Sequence, residues 1–427
     1  MTKLPKFLAL AALLAGCGDY ARTGVSPADI FYFPTGIAVG HVPAGCQGGT
    51  AGCQTRLYVA SSNFDLRYDL KTGGALTAVD PDTSRRVGAP VRMGSFAGDV
   101  ALVDSSTCSG WSGDPLVLVT SRSSGSVYGM AVGADGAPTC GDGCERTLDA
   151  HLRDPFSIAV GCRGPGDFTA WVGFLGSYVG QGFFQPVLLP SLAPEVPGTD
   201  GGPPAQSVAY DPNTERVYST TVYAGPTAFL HWAHIANPAG GRSVTIPVPG
   251  EASALAISAD GTRAYVALRL FNVAVASSNG RGIDLGAALA VLDLTELPTG
   301  GPAATLLRLV PLGMGPAHVR TVDRRALGMR DLVAVTCTDD SSFHVYDDEV
   351  GAVVQVIGTD ASGTPILGRR PFGLAVESPY RTATSASAVR YFIASFDDGV
   401  VSTVVVDDPS RAGVATILPT VITPANP

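Results

Sequence analysis

Along the chain, apolar runs of four or five residues alternate with clusters of Gly, Pro, Asp and Ser. Beyond the N-terminal leader, no stretch sustains the 3.6-residue period of an amphipathic helix. The runs predict strands, and they recur. A first strand with a small residue or Pro just ahead of it occurs at Gly36–Val39, Gly98–Ala101, Phe156–Ala159, Ser207–Tyr210, Ala254–Ile257, His318–Thr321 and Gly373–Val376, seven copies 47 to 64 residues apart. After a turn comes a second strand: Arg56–Ala60, Leu116–Val119, Ala170–Gly173, Arg216–Ser219, Arg263–Ala267, Leu332–Val335 and Arg390–Ala394. A third often ends in Asp, as in Leu76–Asp80, Leu289–Asp293, Phe343–Asp347 and Val404–Asp407, and a fourth is weaker, as in Val353–Ile357. Turn signals such as Ala259-Asp260-Gly261 and Asp397-Asp398-Gly399 separate them.

Four short strands per unit at a spacing near 50 residues predict an all-β fold, a seven-bladed β-propeller of four-stranded antiparallel blades. One such sheet cannot bury both faces alone, whereas sheets stacked radially cover one another. Innermost strands should carry small residues, as at Gly36, Ala38, Ala159, Ala209 and Ala256, because backbones crowd toward the axis. Two β-sandwiches would show a compositional break near the middle of the chain, and there is none. The repeat spans 30–420, with 421–427 as a tail, and Ile30–Phe33 offers an added strand. Each unit is complete from first to fourth strand, so ring closure must rely on packing between the terminal units.

Composition narrows the setting. Of 427 residues, 45% are hydrophobic and 15% charged, with 52 Gly and 32 Pro but no collagen period, as expected of a globular, turn-rich chain. The formal charge of −9 becomes −11 if Lys3 and Lys6 leave with a leader, which argues against a nucleic-acid partner. The start has the form of a signal: a positive stretch through Lys6, an apolar run Phe7–Ala15, then Gly16 and Cys17. Nine helical residues rise about 14 Å, roughly half of a hydrocarbon core, too little for an ordinary span. Leu14-Ala15-Gly16-Cys17 resembles the bacterial lipobox. That resemblance implies a cleaved peptide 1–16, acylation of Cys17, a tether 17–29, and a membrane contact through an N-terminal lipid anchor in the cell envelope. Gly18, and not Asp, after the acylated position favours the outer membrane by resemblance to Gram-negative sorting signals; the periplasmic or surface side stays open.

Export meets an oxidising compartment, so disulfides precede metal ligands as the expectation for the other cysteines. Cys46 with Cys53 and Cys140 with Cys144 bound Gly-rich loops as local staples, Cys108 and Cys162 lie in corresponding loops of successive repeats, and Cys337 reads as a free core thiol. Zinc at Cys140 and Cys144 lacks a second ligand pair. His231 and His234 lie three apart in a strand, on opposite faces, and the adjacent carboxylates of Asp339-Asp340 do not have a calcium loop's spacing, so no metal or cofactor is expected.

The strand pair Pro-x-Gly-Ile-Ala (34–38) and Arg-Leu-Tyr-Val-Ala (56–60), followed by a strand ending Val-Asp, resembles the YVTN and lactonase-like seven-bladed propellers over about residues 30–420. The tetrapeptide Tyr-Val-Thr-Asn itself is absent, and the second to fourth units are degenerate. By that resemblance ligands bind at the channel mouth, where loops entering the first strands meet those joining the second and third. The entering loops hold His151, Arg153 and Asp154; Met314, Pro316 and His318; and Arg369, Arg370 and Phe372. Two joining loops are long, Asn63–Asp69 and Arg269–Asp284. Arg67, Arg153, Arg269, Arg369 and Arg370 then make a candidate site for a small anionic ligand, unless they pair with Asp65, Asp69, Asp154 and Asp284. Gly315-Pro316-Ala317-His318-Val319 resembles the Gly-Pro-x-His-Leu segment of 6-phosphogluconolactonase-like propellers, which implies a lactonase alternative with His318 as base and Arg320 or Arg370 as oxyanion donor. The leading expectation is a binding or scaffolding module for an envelope protein or a small anion.

Overall fold

The structure is a computed structural model that describes residues 24–149, 152–164, 166–177, 184–195, 205–221, 227–272, 283–295, 297, 303–411 and 415–424. The leader, Cys17, His151 and residues 178–183 lie outside them. Among the described residues the regular structure is β, apart from short 3-10 turns such as Arg325–Leu327 and Pro409–Arg411. No described helix is long and apolar enough to cross a membrane.

The first sheet holds β1 (Pro34–Val42), β2 (Gln54–Ser61), β3 (Gly74–Asp80) and β4 (Arg85–Met93) in that order. The second holds β5 (Ala97–Val103), β6 (Leu116–Ser121), β7 (Ser126–Val132), β8 (Pro138–Thr139) and β9 (Glu145–Thr147), the last two both pairing with β7. The third holds β10 (Leu152–Gly164), β11 (Asp167–Ser177), β12 (Phe184–Leu189) and β13 (Ala193–Pro194). A seven-stranded sheet follows: β14 (Ala205–Asp211), β15 (Arg216–Thr221), β16 (Thr227–His234), β17 (Asn237–Ile257), β18 (Arg263–Asn272), β19 (Ile283–Asp293) and β20 (Thr305–Leu312). The last two sheets are β21 (Pro316–Val322), β22 (Leu332–Cys337), β23 (Ser342–Asp347), β24 (Ala352–Ile357), and β25 (Pro371–Tyr380), β26 (Ala388–Ser395), β27 (Val400–Val406), β28 (Ala415–Ile422). All ladders within the sheets are antiparallel. The seven-stranded sheet is two four-stranded pleats sharing β17, whose residues 237–249 pair with β16 and whose residues 250–257 pair with β18.

The first strands touch in cyclic order: β1, β5, β10, β14, the end of β17, β21, β25, and back to β1. The hydrophobic clusters sit between consecutive sheets, and strand alternation deals residues to both neighbours. On β2, Leu57 and Val59 face the last sheet, while Tyr58 and Ala60 face the second. On β22, Val333 and Val335 face back toward β18, while Leu332 and Ala334 face β26. Both faces are therefore dry, which is why the second strands read as unbroken apolar runs without polar alternation. The axis is crowded as expected, since a Cβ at Gly36 would lie 2.6 Å from the Gly98 carbonyl oxygen.

Closure joins β25 to β1 without exchange of strands. Glu377, in β25 and 1% exposed, accepts from His41 Nε2 and Thr55 Oγ1 at 2.8 Å each and from Arg390 Nε at 2.6 Å. Arg390 also donates to Thr55 (3.0 Å) and Asp82 (2.7 Å) and covers the Tyr380 ring at 4.1 Å. Arg381 N donates to the Gly48 carbonyl across the same seam.

Several boundaries differ from expectation. Ile30–Phe33 adds no strand: Phe31 is instead a buried plug between the first and last sheets, because its apolar ring finds a dry seam there. Of the tether 17–29, the described part packs on the first sheet, where Ser26 is buried and accepts from Arg92 and the Ala28 carbonyl accepts from Arg86. The last strand runs to Ile422, into the expected tail 421–427, because Ile422 is a core residue. Cys46–Cys53, Cys108–Cys162 and Cys140–Cys144 are disulfides with Cα separations of 5.7, 5.5 and 5.4 Å, and Cys337 is free and buried.

Candidate functional site

One local device shapes the end of the ring at which the first strands begin. In five sheets the residue just before or just inside the first strand has a left-handed backbone: Phe33 (φ 53°), Phe96 (55°), Asp154 (57°), Gly315 (67°) and Arg370 (55°). Only glycine adopts that region freely, so four strained residues at equivalent places mark a constrained rim. In four of these units the carbonyl of the left-handed residue accepts the N–H that follows the second strand: Phe33 from Ser62, Phe96 from Arg122, Gly315 from Thr338 and Arg370 from Phe396, at 2.8 to 3.1 Å. A bulge follows, recorded as a register shift between Pro34 and Gly36, Ala97 and Val100, Pro155 and Ile158, Pro316 and His318, and Pro371 and Gly373. Bulges re-aim side chains. Here they fall on Thr35, Asp99, Phe156, Ala317 and Phe372.

Of these positions Thr35, Phe156 and Phe372 border a cleft of about 230 Å³ lined by Thr35, Ser62, Phe64, Phe96, Ala97, Arg122, Phe156, Leu175, Thr338, Arg370, Phe372 and Phe396. Its wall is aromatic: Phe64 meets Phe96 and Phe396 edge-on at 5.8 and 5.2 Å, and Phe372 lies 6.4 Å from Phe156 and 6.2 Å from Phe396. Phe64 is half exposed on the Asn63–Asp69 loop. Asn63 holds that loop by accepting from Tyr68 N at 3.1 Å and donating to Ser95 Oγ at 2.8 Å. Two cations reach the cleft. Arg370 lies 5.5 Å over Phe396 with Asp397 at 3.7 Å, and Arg122 lies 5.6 Å over Phe96 with Asp154 at 3.5 Å, so both carboxylate partners stand beyond close hydrogen-bond range.

Two residues further along the strands, about 7 Å by strand rise, Arg320 on β21 pairs with Asp99 on β5 at 3.2 Å. In the cyclic order these strands stand nearly opposite, so the pair spans the ring. His318, two residues before Arg320, has its ring 5.1 Å from Phe372 and does not line the cleft. Burial lowers its pKa to about 4, Arg320 adding to the effect and Asp99 opposing it. Its Nδ1 has no hydrogen-bond partner among the described residues.

The sequence-predicted residues divide. Arg370 lines the cleft. Arg67 is exposed and pairs with Asp65 at 3.2 Å, and Arg369 is held by Asp398 at 2.7 Å. Arg269 pairs with Asp339 at 3.2 Å. It lies within β18, opposite Ala287, and Asp284 lies within β19, so the expected loop 269–284 is an extended hairpin whose tip falls outside the described residues. Arg153 is in β10, paired through its main chain with Gly176; its side chain is outside the described set. The four of these arginines whose side chains are described do not converge, and neighbouring carboxylates take three of them, because short turns rich in Asp adjoin the same rim. His318 and Arg320 do come together, with Asp99, but below the cleft and apart from the rim position of Arg370. Sequence reading missed Arg122, Phe96, Phe156 and Phe396 as site residues. Their signal was positional: each sits at, next to, or just before a bulge, or directly after a second strand. No group of three or more His, Cys, Asp or Glu able to hold a metal exists among the described residues.

No family model matches the chain, and no curated protein matches it significantly. Solved structures do. Hydrazine synthase of Kuenenia stuttgartiensis is similar at TM-score 0.60 and 12% identity, over 92% of this chain and 98% of that one. A functionally unknown protein of Desulfotomaculum acetoxidans scores 0.54 at 15% identity, over 82% and 94%. The Cps50 (Swd1) β-propeller domain from Myceliophteria thermophila scores 0.51 at 11% identity, over 88% and 99%. At such identities the likeness establishes architecture alone, and that architecture is a β-propeller-like stack of antiparallel four-stranded sheets.

Proposed function

We propose that this chain is a seven-bladed propeller, the shared β17 separating its fourth and fifth blades, that serves as a binding module for a small anionic ligand at the channel mouth. The observation that carries the reading is the aromatic cleft with Arg122 and Arg370 on its rim, each loosely held by its carboxylate. A guanidinium with open donors over a ring face retains capacity for an anion. The module belongs in the cell envelope, anchored through acylated Cys17, on the support of the leader pattern and of disulfides suited to an oxidising compartment. Lactone hydrolysis rests on the Gly315–Val319 resemblance, and the burial of His318 gives it no further support.

Calorimetric titration of the purified full chain with acetate, benzoate and phosphate tests the reading. Saturable binding of at least one anion, weakened in both Arg122→Gln and Arg370→Gln, supports it. Binding of none, or equal binding by both variants, refutes it.

A further inference from the structure

The mouth cleft also carries information about the body of its ligand, and the inference drawn from it rests on the anion reading above. Its walls bring phenylalanine rings from four separate sheets, and among the described residues charge enters at two points. A site made for a hydrated inorganic ion would surround it with donors; this one is apolar at seven of its twelve lining residues. At about 230 Å³ it is smaller than the roughly 300–1,000 Å³ typical of drug-sized ligands. A third feature is the Ser62 hydroxyl. Ser62 is 1% exposed, lines the cleft, and its Oγ has no hydrogen-bond partner among the described residues. Buried hydroxyls are ordinarily paired, and leaving one unpaired is unfavourable, so this one calls for a polar atom brought from outside.

We infer that the cleft binds a flat aromatic monocarboxylate of one or two rings, its ring body against Phe64, Phe372 and Phe396, its carboxylate at Arg370 or Arg122, and a polar atom within reach of Ser62. Offset and edge-to-face packing of phenylalanines favours a planar partner over a branched aliphatic one. Two separated arginines, in place of a cluster, suit one carboxylate and not a polyphosphate.

The experiment titrates the full chain with 2-naphthoate, with the neutral analogue 2-naphthalenemethanol, and with acetate and phosphate, by calorimetry at one ionic strength. The expected result is saturable binding of 2-naphthoate at least tenfold tighter than acetate and tenfold tighter than the alcohol. Arg370→Gln should weaken 2-naphthoate about tenfold, and Phe64→Leu, at a half-exposed position where folding is safe, should weaken it severalfold. Arg325→Gln, far from the mouth, should leave it unchanged, and circular dichroism checks that each variant is folded. If acetate or phosphate binds as tightly as 2-naphthoate and depends on Arg370, the aromatic body is wrong while the anion reading stands. If the alcohol binds as well as the acid, the carboxylate is wrong. If no anion binds, the inference and the reading beneath it both fall.

Discussion

Because the ring closes without strand exchange, its weakest seam should be readable in one side chain. Glu377→Ala removes the acceptor that gathers His41, Thr55 and Arg390 between the last sheet and the first. The Arg390 side chain is only 3% exposed and would keep Asp82 and Thr55 but lose its buried partner. Breaking a buried ion pair from one side costs about 3–5 kcal/mol, much of it the desolvation of the charge left behind. Glu377→Gln keeps a carbonyl acceptor and should cost less, about 1–3 kcal/mol. Burial pushes the Glu377 carboxyl up, but the His41 hydrogen bond, the Arg390 charge and its hydrogen bond, and the Thr55 hydroxyl together hold it below its ordinary value. A carboxyl lowered in the folded state contributes stability that is complete above its unfolded pKa and is lost as pH falls through its folded one. The variants should therefore lie furthest from the parent near pH 7 and draw closer below about pH 4. Urea denaturation followed by circular dichroism at pH 7 and pH 3.5 measures both. A Glu377→Ala midpoint within about 0.5 kcal/mol of the parent at pH 7 would refute the view that this network holds the ring shut.

Other consequences follow from the same packing. Gly36→Ala places a methyl against the Gly98 carbonyl at 2.6 Å and should cost about 1–3 kcal/mol or more in the same denaturation assay. Removing the Cys108–Cys162 bridge as the double Ser variant opens a closed loop with a sequence separation of 54 and should cost about 4 kcal/mol, read as a lowered midpoint under oxidising conditions. Asp331 accepts from Ala259 N at 2.7 Å, yet burial raises its pKa to about 6, so its charged form opposes folding above that pH. Asp331→Asn should raise stability at pH 7 by about 1–3 kcal/mol, and a loss would contradict this. His318 and His231 are held neutral by burial, both lowered to about 4, so their contribution to stability should decline as pH falls from 6.5 toward 4 and change no further below. His318→Phe should shrink that decline.

The architecture was legible because it depends on repetition. The expected first and second strands all fall within strands of the structure, since each unit needs the same small residue at the axis and the same apolar run beside it. The spacing of 140 and 144 around Gly-Asp-Gly announced a staple for the same local reason. The site was less legible. Arg67 and Arg369 are rim arginines in sequence as in space, but whether each meets a carboxylate or a cleft depends on turns from other sheets, such as Asp397 and Asp398 beside Arg370 and Arg369. Phe372 is an entering-loop residue in sequence as in space, but Phe156 looks like an ordinary strand residue until the bulge turns it toward the mouth, and a bulge is a register property of two strands. The Asp99–Arg320 pair joins residues 221 apart in the chain, a contact that no local pattern encodes.

The claim that the mouth of an acidic chain attracts anions has a direct measurement. The tryptophans Trp111, Trp171 and Trp232 are buried, so Phe64→Trp places one exposed reporter beside the cleft. Its quenching by iodide is compared with that by caesium at equal ionic strength, each relative to the quenching of free N-acetyltryptophanamide by the same ion, because caesium is intrinsically the weaker quencher. Iodide should quench more strongly, and the preference should vanish in the Arg122→Gln/Arg370→Gln background. Caesium quenching as strong as iodide in the parent would contradict the account.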